Sequence, residues 1–354
     1  MKYLIKAPGK LILIGEYAVL EGAPALVMAV NRYARVTLTP RPGKFFILHS
    51  PALEISDLKF TIDPSGNIHY QKAPNATIEQ QVAFFTETLR FILKRQSDFN
   101  PKTSQTIILD TADFFLKGGR DKLGLGSSAA LTVALLKGFL TSSNISLPPG
   151  EQFFRWAQEI HSGVQGKSGS GIDIAASVYG GILSFQKTGE SYQIEPLSLP
   201  PDLIILPVWS GKSASTTAMI KKVQQFKSRQ PEKYWKIFGQ LQRISQRAIL
   251  AVKEKESPAF LNNICDYFDT LKKLDRDSGA AIISEAHQEI AELASSQGAI
   301  YKPSGAGRGD LGLVMTQSRA VARRAAGCIL RSGYQILNLA VSKKGVSAVR
   351  RKND

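Results

Sequence analysis

Two glycine-rich segments have the composition of loops that bind phosphate groups. Residues 124–130 read GLGSSAA and directly precede an alanine-rich apolar stretch, and residues 302–310 read KPSGAGRGD. Glycines let the backbone approach an anion closely, and the N-terminus of a helix supplies free N–H groups and a positive dipole end. The hydroxyls of Ser127 and Ser128 could bind phosphate oxygens or a metal ion. The first segment departs from the Walker pattern, because no lysine follows its last glycine in the required place.

Each of these features also has a purely structural explanation. The first segment could be a tight turn in which a serine caps the following helix, and the second could be a connection that requires positive φ angles. Lys10, in the segment KAPGK at residues 6–10, could face a phosphate, although most lysines are solvated. Asp173 stands at the start of an apolar stretch, where capping of a helix alone would explain an aspartate. Singly these signals are weak, and their joint presence in this order is more specific.

The elements that must position these residues are a mixture of strands and helices. Strand-forming residues and alternation predict strands over residues 3–6, 10–14, 32–39, 106–109, 203–208, 313–316 and 334–339. Helical spacing and apolar composition predict helices over residues 80–95, 129–140, 152–161, 172–179, 231–255, 258–274, 280–297 and 319–331. Residues 190–201 are rich in proline, serine and turn formers and mark the expected domain boundary. The pattern predicts an α+β (α/β two-domain) protein with domains over residues 1–195 and 196–354.

The composition limits the classes of protein to which the chain can belong. With 354 residues, 43% hydrophobic and 21% charged, it can bury a large core, which excludes a disordered or fibrous chain. Its apolar runs are too short for a membrane span or a secretory signal, so we expect no membrane partner and a cytoplasmic location. The two cysteines, Cys265 and Cys328, cannot form a disulfide framework or a closed zinc site.

The net charge is strongly positive, since 45 Lys and Arg face 29 Asp and Glu, a difference of +16. A positive cleft concentrates phosphate-bearing small molecules, and a basic surface can also bind nucleic acid. The charge is spread along the chain, and no recognition motif with interleaved aromatic residues accompanies it. We therefore favour anionic small substrates and expect no nucleic-acid partner, with a basic nucleic-acid-binding protein as the remote alternative.

The motifs KAPGKLILIGEYAVLEG (residues 6–22), GLGSSAA (124–130) and KPSGAGRGDLG (302–312) resemble those of the GHMP kinase superfamily. The resemblance covers residues 6–313. Within the superfamily, the sequence is most similar to the phosphomevalonate kinases. Three segments resemble that family: QGKSGSGIDIAASVYGG at residues 165–181, WSGKSAST at residues 209–216, and KPSG at residues 302–305, which opens the glycine-rich loop of residues 304–312 (the glycine loop). It departs from that family at Arg308, where glycine is usual, and at Leu311, which is often cysteine.

The main alternative within the superfamily is mevalonate kinase or another kinase that phosphorylates a hydroxyl. The mevalonate kinase pattern resembles a His-Gly pair with a metal-binding glutamate four residues before it. Here the pair is Gln165-Gly166, and His161 occupies the place of the glutamate. This difference favours the phosphomevalonate kinases. It leaves the second protein ligand of Mg²⁺ open, since Glu159 would point to another face of the helix.

The resemblance implies an N-terminal domain like ribosomal protein S5 domain 2, a C-terminal ferredoxin-like domain, and a cleft between them for ATP and the substrate. The implied reaction is the ATP-dependent phosphorylation of 5-phosphomevalonate to 5-diphosphomevalonate in the mevalonate route to isoprenoids. ATP and Mg²⁺ would be the cofactors, ATP and phosphomevalonate would be the partners, and the enzyme would be a monomer or a homodimer.

The resemblance also implies roles for particular residues. Lys10 would bridge the donor and acceptor phosphates, and Asp173 would orient or deprotonate the acceptor and hold Lys10 in place. The ATP phosphates would lie against Gly124, Leu125, Gly126, Ser127, Ser128 and Ala129, with Ser128 as a ligand of Mg²⁺. Contacts with the substrate would come from Tyr17, Ser170, Ser213, Ser215, Thr216, Gly307 and Arg308.

Overall fold

The computed structural model describes residues 1–63, 67–96, 104–116, 121–166, 169–213 and 216–352. Within these residues, strands and helices occur in both halves of the chain, which confirms the expected α+β class. None of the described helices combines the length and the apolar composition that crossing a bilayer requires. Of the residues expected at the site, Ser215 falls outside the described residues.

The first half of the chain is built on a large sheet. Its strands are β1 (Lys2–Ile14), β2 (Ala25–Pro40), β3 (Phe46–Ser50), β4 (Ile55–Ile62), β5 (Ile68–Tyr70), β6 (Gln105–Asp110), β7 (Ile182–Thr188) and β8 (Ser191–Leu197). β1 and β2 form a long antiparallel pair, and a bulge between Pro8 and Gly9 shifts their register just ahead of Lys10. β6, β3, β4 and β5 follow β2 in that order, while β7 pairs with the start of β2 and with β8.

Helices of the first half pack against this sheet and against one another. They are α1 (Ala76–Arg95), α2 (Ser127–Ser142), α3 (Gly150–Gln165) and α4 (Ile172–Tyr179). α2 packs on β1 and β2 and is buried along most of its length, as expected for a helix that is apolar on nearly every side. α4 spans the residues predicted for it, which confirms that helix in full.

The second half of the chain contains a smaller antiparallel sheet with helices packed around it. Its strands β9 (Ile204–Trp209), β10 (Ile300–Ser304), β11 (Leu311–Thr316) and β12 (Gln335–Ile336) lie in the order β10-β11-β9-β12. The helices are α5 (Thr216–Arg229), α6 (Pro231–Lys253), α7 (Ser257–Ser278), α8 (Glu285–Ser295) and α9 (Arg319–Arg331). The antiparallel sheet positions the glycine loop, which connects β10 to β11.

The C-terminal segment returns to the first half of the chain. β13 (Ser347–Arg351) pairs antiparallel with β1 and forms an edge of the large sheet. Exposed arginines such as Arg350 suit an edge strand, because their charge opposes pairing with another chain. The domain boundary between residues 195 and 196 stays a prediction, and any division has to assign this last strand to the first sheet.

Several elements differ from the local sequence pattern, and for two of them the structure shows the physical reason. Residues 190–201 contain β8 despite Pro196, because this strand pairs on one side only and an edge strand tolerates proline. The helix predicted over residues 280–297 begins at Glu285, since Gly279 ends α7 and the Ser284 side chain caps α8. The strand predicted over 334–339 is reduced to β12, and those predicted over 3–6 and 10–14 form one strand. The pattern does not predict α5, β3, β4, β5, β7, β10 or β13.

The segment ahead of β13 crosses the end of α4 at very short range. A Cβ atom on Gly345 would lie 1.9 Å from the carbonyl oxygen of Val178. The next residue, Val346, donates its N–H to the Ser177 carbonyl oxygen at 2.9 Å. Because backbone meets backbone here, rotation of a side chain cannot make room for a larger residue.

We expect Gly345→Ala to lower the free energy of unfolding by about 1–3 kcal/mol, because the added methyl group overpacks this crossing. Gly239→Ala, within helix α6, is the matched control, since the Arg243 side chain would lie 3.7 Å from the new Cβ and can move aside. The control should gain up to about 1 kcal/mol from helix propensity. Urea denaturation followed by circular dichroism measures both, and equal stabilities for the two variants would contradict the expectation.

Candidate active site

A cavity of about 560 Å³ lies between the two halves of the chain. Its wall brings together residues from the three motifs at 6–22, 124–130 and 302–312, and from the start of α4. The charged residues in this wall are Lys10, Lys122, Glu16, Asp173 and Asp310. Segments that are far apart in the sequence therefore face one volume that can hold a ligand.

The loop at residues 124–128 enters α2 through a glycine. Gly126 adopts the left-handed conformation, with φ of 76°, and no side chain caps the helix. The cap is therefore not a serine, and the N–H groups of the first turn stay available to an anion at a helix end that favours negative charge. Ser127 and Ser128 line the cavity from this turn, whereas Ala129 is fully buried behind it.

The bulge in β1 brings Lys10 against the loop at residues 124–128, which we call the phosphate loop after the role that the family resemblance implies for it. The Lys10 N–H donates to the Leu125 carbonyl oxygen at 2.9 Å, and a Cβ atom on Gly9 would lie 2.7 Å from that same oxygen. Glycine at position 9 is what permits so close an approach. The side chain of Lys10 then follows the loop, and its Nζ atom donates to the Gly124 carbonyl oxygen at 3.2 Å.

Lys10 and Asp173 face each other, as the resemblance implies. Nζ of Lys10 lies 3.8 Å from Oδ2 of Asp173, and the two side chains are 10% and 33% exposed. The cap of α4 is Gly171, with φ of 93°, so capping does not account for the aspartate. A nearly buried ammonium beside one partly exposed carboxylate can stabilise further negative charge that enters the cavity.

Ser128 has a buried histidine as its neighbour. Its Oγ atom lies 3.1 Å from Nε2 of His161, and the imidazole stacks on Phe84 with ring centroids 5.3 Å apart. Burial lowers the pKa of His161, and the charge of Asp173 opposes that shift. The imidazole is therefore neutral at pH 7 and can accept the Ser128 hydroxyl proton. In the sequence, the signal that could have identified His161 is its position four residues before Gln165, where the mevalonate kinase pattern has a glutamate. The family motifs implied no role for this histidine at the site.

The Ser128 hydroxyl can still serve as a metal ligand in this arrangement. The Ser128 hydroxyl can donate to His161 and accept from Nε2 of Gln165 at 3.4 Å, so among the described residues its second lone pair has no partner. Glu159 is turned away and pairs with Arg95 at 2.7 Å. Among the described residues, no cluster of three or more His, Cys, Asp or Glu could hold a metal. The Ser128 hydroxyl oxygen fits Mg²⁺, which keeps several waters and binds through few protein oxygens plus phosphates.

Several residues expected to contact the substrate lie at the cavity. Tyr17, Ser170 and Ser213 line it, and the Tyr17 hydroxyl donates to the Ala306 carbonyl oxygen. Burial raises the pKa of Tyr17 well above its usual value, so the phenol stays a neutral donor. Thr216 is the first residue of α5.

Gly307 and Arg308, by contrast, do not line the cavity. The loop turns away behind Ala306 because Gly307 packs against Ile282, whose carbonyl oxygen accepts from the Arg308 N–H at 2.6 Å. The residues of this loop that face the cavity are Gly305, Ala306 and Asp310. Asp310 reaches the phosphate loop, since a Cβ atom on Gly124 would lie 2.4 Å from its Oδ2 atom.

A second buried histidine supports the glycine loop from the protein interior. His287 accepts at Nδ1 from the Tyr301 hydroxyl at 2.6 Å, and its Nε2–H donates to the Gly309 carbonyl oxygen at 3.1 Å. Both contacts use the neutral imidazole. Burial lowers the pKa of His287 from 6.5 to about 4.

Comparison with known proteins agrees with this geometry. The model of the GHMP kinases N terminal domain matches residues 110–181, which include the phosphate loop, His161 and Asp173. Phosphomevalonate kinase from Streptomyces sp. (strain CL190) is 26% identical over 347 residues, which cover 89% of this chain and 90% of that protein. Mevalonate kinase from Archaeoglobus fulgidus is 30% identical over 245 residues, which cover 69% of this chain and 71% of that protein. The chain belongs to the GHMP kinase family.

This GHMP kinase shares its fold with a solved relative. The structure of Streptococcus pneumoniae phosphomevalonate kinase in complex with phosphomevalonate and AMPPNP superposes with a TM-score of 0.76 and 17% identity. The match covers 96% of this chain and 99% of that one. It confirms the expected GHMP kinase fold, and the protein is an enzyme of the GHMP kinase family.

We expect Gly126→Ala to reduce kcat/KM of this kinase by at least about tenfold, because a misplaced catalytic group costs rate steeply. The new Cβ would lie 3.1 Å from Cγ of Lys10 and 3.4 Å from Oδ2 of Asp173. Gly166→Ala is the matched control: that residue also has a left-handed conformation at a helix end, but nothing in the described part of the chain lies within 4 Å of its Cβ position. Both substitutions place alanine in a left-handed conformation and so share the backbone strain, but only Gly126→Ala also crowds Lys10 and Asp173. Steady-state kinetics should therefore give a lower kcat/KM for Gly126→Ala than for Gly166→Ala. Equal losses would assign the effect to strain alone.

His287 makes the stability of the kinase depend on pH. Its folded pKa of about 4 lies below the unfolded value near 6.5, so the unfolded chain takes up the proton first. The stabilisation is complete above pH 6.5 and declines as the pH falls to 4, by about 3 kcal/mol in total.

Unfolding of wild type and His287→Gln, measured by denaturant titration at each pH, should show a smaller slope in the variant. A His287→Gln slope equal to that of wild type would attribute the pH dependence to other groups.

Proposed function

We propose that this GHMP kinase is a phosphomevalonate kinase. It would transfer the γ-phosphoryl group of ATP to the phosphate of 5-phosphomevalonate, forming 5-diphosphomevalonate in the mevalonate pathway. The observation that carries the transfer is Lys10, whose nearly buried ammonium lies between the Gly124 carbonyl oxygen and Asp173 in the cavity wall. Phosphomevalonate as the acceptor is supported by similarity to the Streptomyces phosphomevalonate kinase, because the match covers 90% of the length of that protein. It is also supported by His161, which stands where the mevalonate kinase pattern has a carboxylate.

ATP would bind with its phosphates against residues 124–129. Gly126 provides no side-chain cap, so within the described residues the first-turn N–H groups of α2 have no side-chain partner, and the helix dipole favours the phosphate charge. Ser128 would hold Mg²⁺, which when bound neutralises charge on the phosphate oxygens. His161 would keep the Ser128 hydroxyl proton turned away from the metal.

Lys10 would stabilise the charge on the transferring group, and Asp173 would orient Lys10 and the acceptor. Phosphoryl transfer depends mainly on positioning and charge stabilisation, so these two contacts are expected to contribute much of the rate enhancement. A phosphate monoester has a second pKa near 6 and is largely ionised at pH 7, so its attacking oxygen needs no base. In this reaction Asp173 would therefore position groups and not remove a proton.

The second candidate is a kinase that phosphorylates a hydroxyl, with mevalonate as the first substrate to test. Similarity to the Archaeoglobus mevalonate kinase at 30% identity favours it. The partly exposed carboxylate of Asp173 could accept the proton of a hydroxyl, and such a base is worth about 10²–10⁴-fold in rate.

We expect Lys10→Met to lower turnover by a factor of about 10² or more, because it removes charge stabilisation from the transferring group. Lys137→Met is the matched control, since Lys137 lies on α2 with its ammonium over the Phe153 ring, 6.0 Å from the centroid. Turnover of both variants in a coupled ADP-release assay, with phosphomevalonate or mevalonate as acceptor, provides the measurement. Near-normal turnover of Lys10→Met would show that Lys10 does not stabilise the transferring group.

Asp173→Asn separates the two acceptors. With phosphomevalonate the variant should lose less activity than Lys10→Met, and its residual turnover should change little from about pH 7 to pH 9, because no acceptor proton remains to be lost. With a hydroxyl acceptor the loss should be near complete. Wild-type activity on mevalonate alone, abolished by Asp173→Asn, would replace the first candidate with the second.

A further inference from the structure

A fully buried ion pair joins the two halves beside the cavity. Nζ of Lys302, in β10, lies 2.5 Å from Oε1 of Glu16, which follows β1, and the two side chains are 0% and 2% exposed. Burial lowers the pKa of Lys302, and the charge of Glu16 opposes that shift. Neither residue entered the expected site, although each lies within one of the sequence motifs.

Glu16 binds the glycine loop as well as the lysine. Its Oε1 atom also accepts from the Gly305 N–H at 3.3 Å, and its carbonyl oxygen accepts from the buried Tyr267 hydroxyl at 2.6 Å. The Lys302 ammonium in turn donates to the Pro303 carbonyl oxygen at 2.6 Å. Tyr267 thus anchors the backbone of Glu16, and the Glu16 carboxylate fixes the peptide at the start of the glycine loop.

The loop so held lies against the catalytic lysine. A Cβ atom on Gly305 would be 3.9 Å from Nζ of Lys10, and both residues line the cavity. Two more bonds tie the same segments together: Ser304 Oγ donates to the Ile12 carbonyl oxygen at 2.8 Å, and Tyr17 donates to Ala306.

Stability alone does not account for this pair. Apolar residues of similar volume usually stabilise a protein interior as well as a buried ion pair does, since both ions must leave water. In addition, Oε2 of Glu16 is buried with no hydrogen-bond partner among the described residues, which adds a desolvation cost. An arrangement with these costs is explained if the carboxylate has a task that an apolar side chain cannot perform.

We propose that Glu16 and Lys302 are positioning residues, which hold the Gly305–Ala306 peptide against Lys10 and thereby set the acceptor side of the cavity. Glu16 acts through the Gly305 N–H, and Lys302 acts by fixing the Glu16 carboxylate. The proposal rests on the proposed function in one respect, namely that the cavity is the site of phosphoryl transfer. It is independent of which acceptor the kinase uses.

Two double variants separate positioning from stability. Glu16→Gln/Lys302→Met removes both charges but keeps a side-chain oxygen for the Gly305 N–H, whereas Glu16→Leu/Lys302→Met removes that oxygen too. We expect similar melting temperatures for the two, because neither leaves an unpaired buried charge. The Leu variant should show kcat/KM for the acceptor at least about tenfold below the Gln variant, with KM for ATP within about threefold.

The control is a second ion pair between the halves that does not touch the loop. Lys227 of α5 pairs with Glu21 at 2.7 Å, and Glu21→Gln/Lys227→Met should keep kcat/KM within about twofold of wild type. Equal kcat/KM in the two Glu16 double variants would overturn the proposal, as would a loss no larger than in this control.

A conservative single variant covers the case in which the apolar pair does not fold. Glu16→Asp keeps the charge but withdraws the carboxylate by one methylene, so it should also lower kcat/KM for the acceptor by about tenfold. Full activity of Glu16→Asp would overturn the proposal. All assays use whichever acceptor the wild-type enzyme phosphorylates, so a wild type that prefers mevalonate would change the proposed function and leave this test intact.

Discussion

The ammonium of Lys10, held in the wall between the two halves, is the constraint on which the rest of the site depends. Moving this charge out of water costs several kcal/mol unless partners compensate for it, yet complete compensation would leave no charge for a phosphate group. The structure provides an intermediate solution, with the Gly124 carbonyl oxygen at 3.2 Å and Asp173 at 3.8 Å. That solution requires the bulge at Gly9, the phosphate loop and the start of α4 to be in place together.

Two helices begin at the cavity in the same unusual way. α2 and α4 are capped by Gly126 and Gly171, both in the left-handed conformation and both without a side-chain cap. A serine or aspartate cap would be more stabilising for an isolated helix, but it would occupy N–H groups that an anion can use. At α2, local helix stability is therefore given up where negative charge is expected to bind, whereas at α4 the Ile172 N–H donates to Ser170 Oγ at 3.3 Å.

Strand β1 connects this anion site to the second half of the chain. It presents Lys10 to the phosphate loop, and the residues that follow it, Glu16 and Tyr17, bind the glycine loop between β10 and β11. Because β1 and the residues directly after it carry both sets of contacts, a displacement of the second half relative to the first would move the glycine loop relative to Lys10. The position of that loop thus depends on the buried side chains of Glu16 and Tyr17.

The sequence by itself determined the elements with a strong local pattern, such as the helix over residues 172–179, and the segments whose glycines allow close approach to an anion. Its family motifs also selected Lys10 and Asp173, which the structure brings together. Only the tertiary structure paired Glu16 with Lys302, across 286 positions, and turned Gly307 away from the cavity. The physical reason is that periodicity reports how each residue divides between water and core, whereas the partner of a buried charge and the direction of a loop depend on which segments the topology brings into contact.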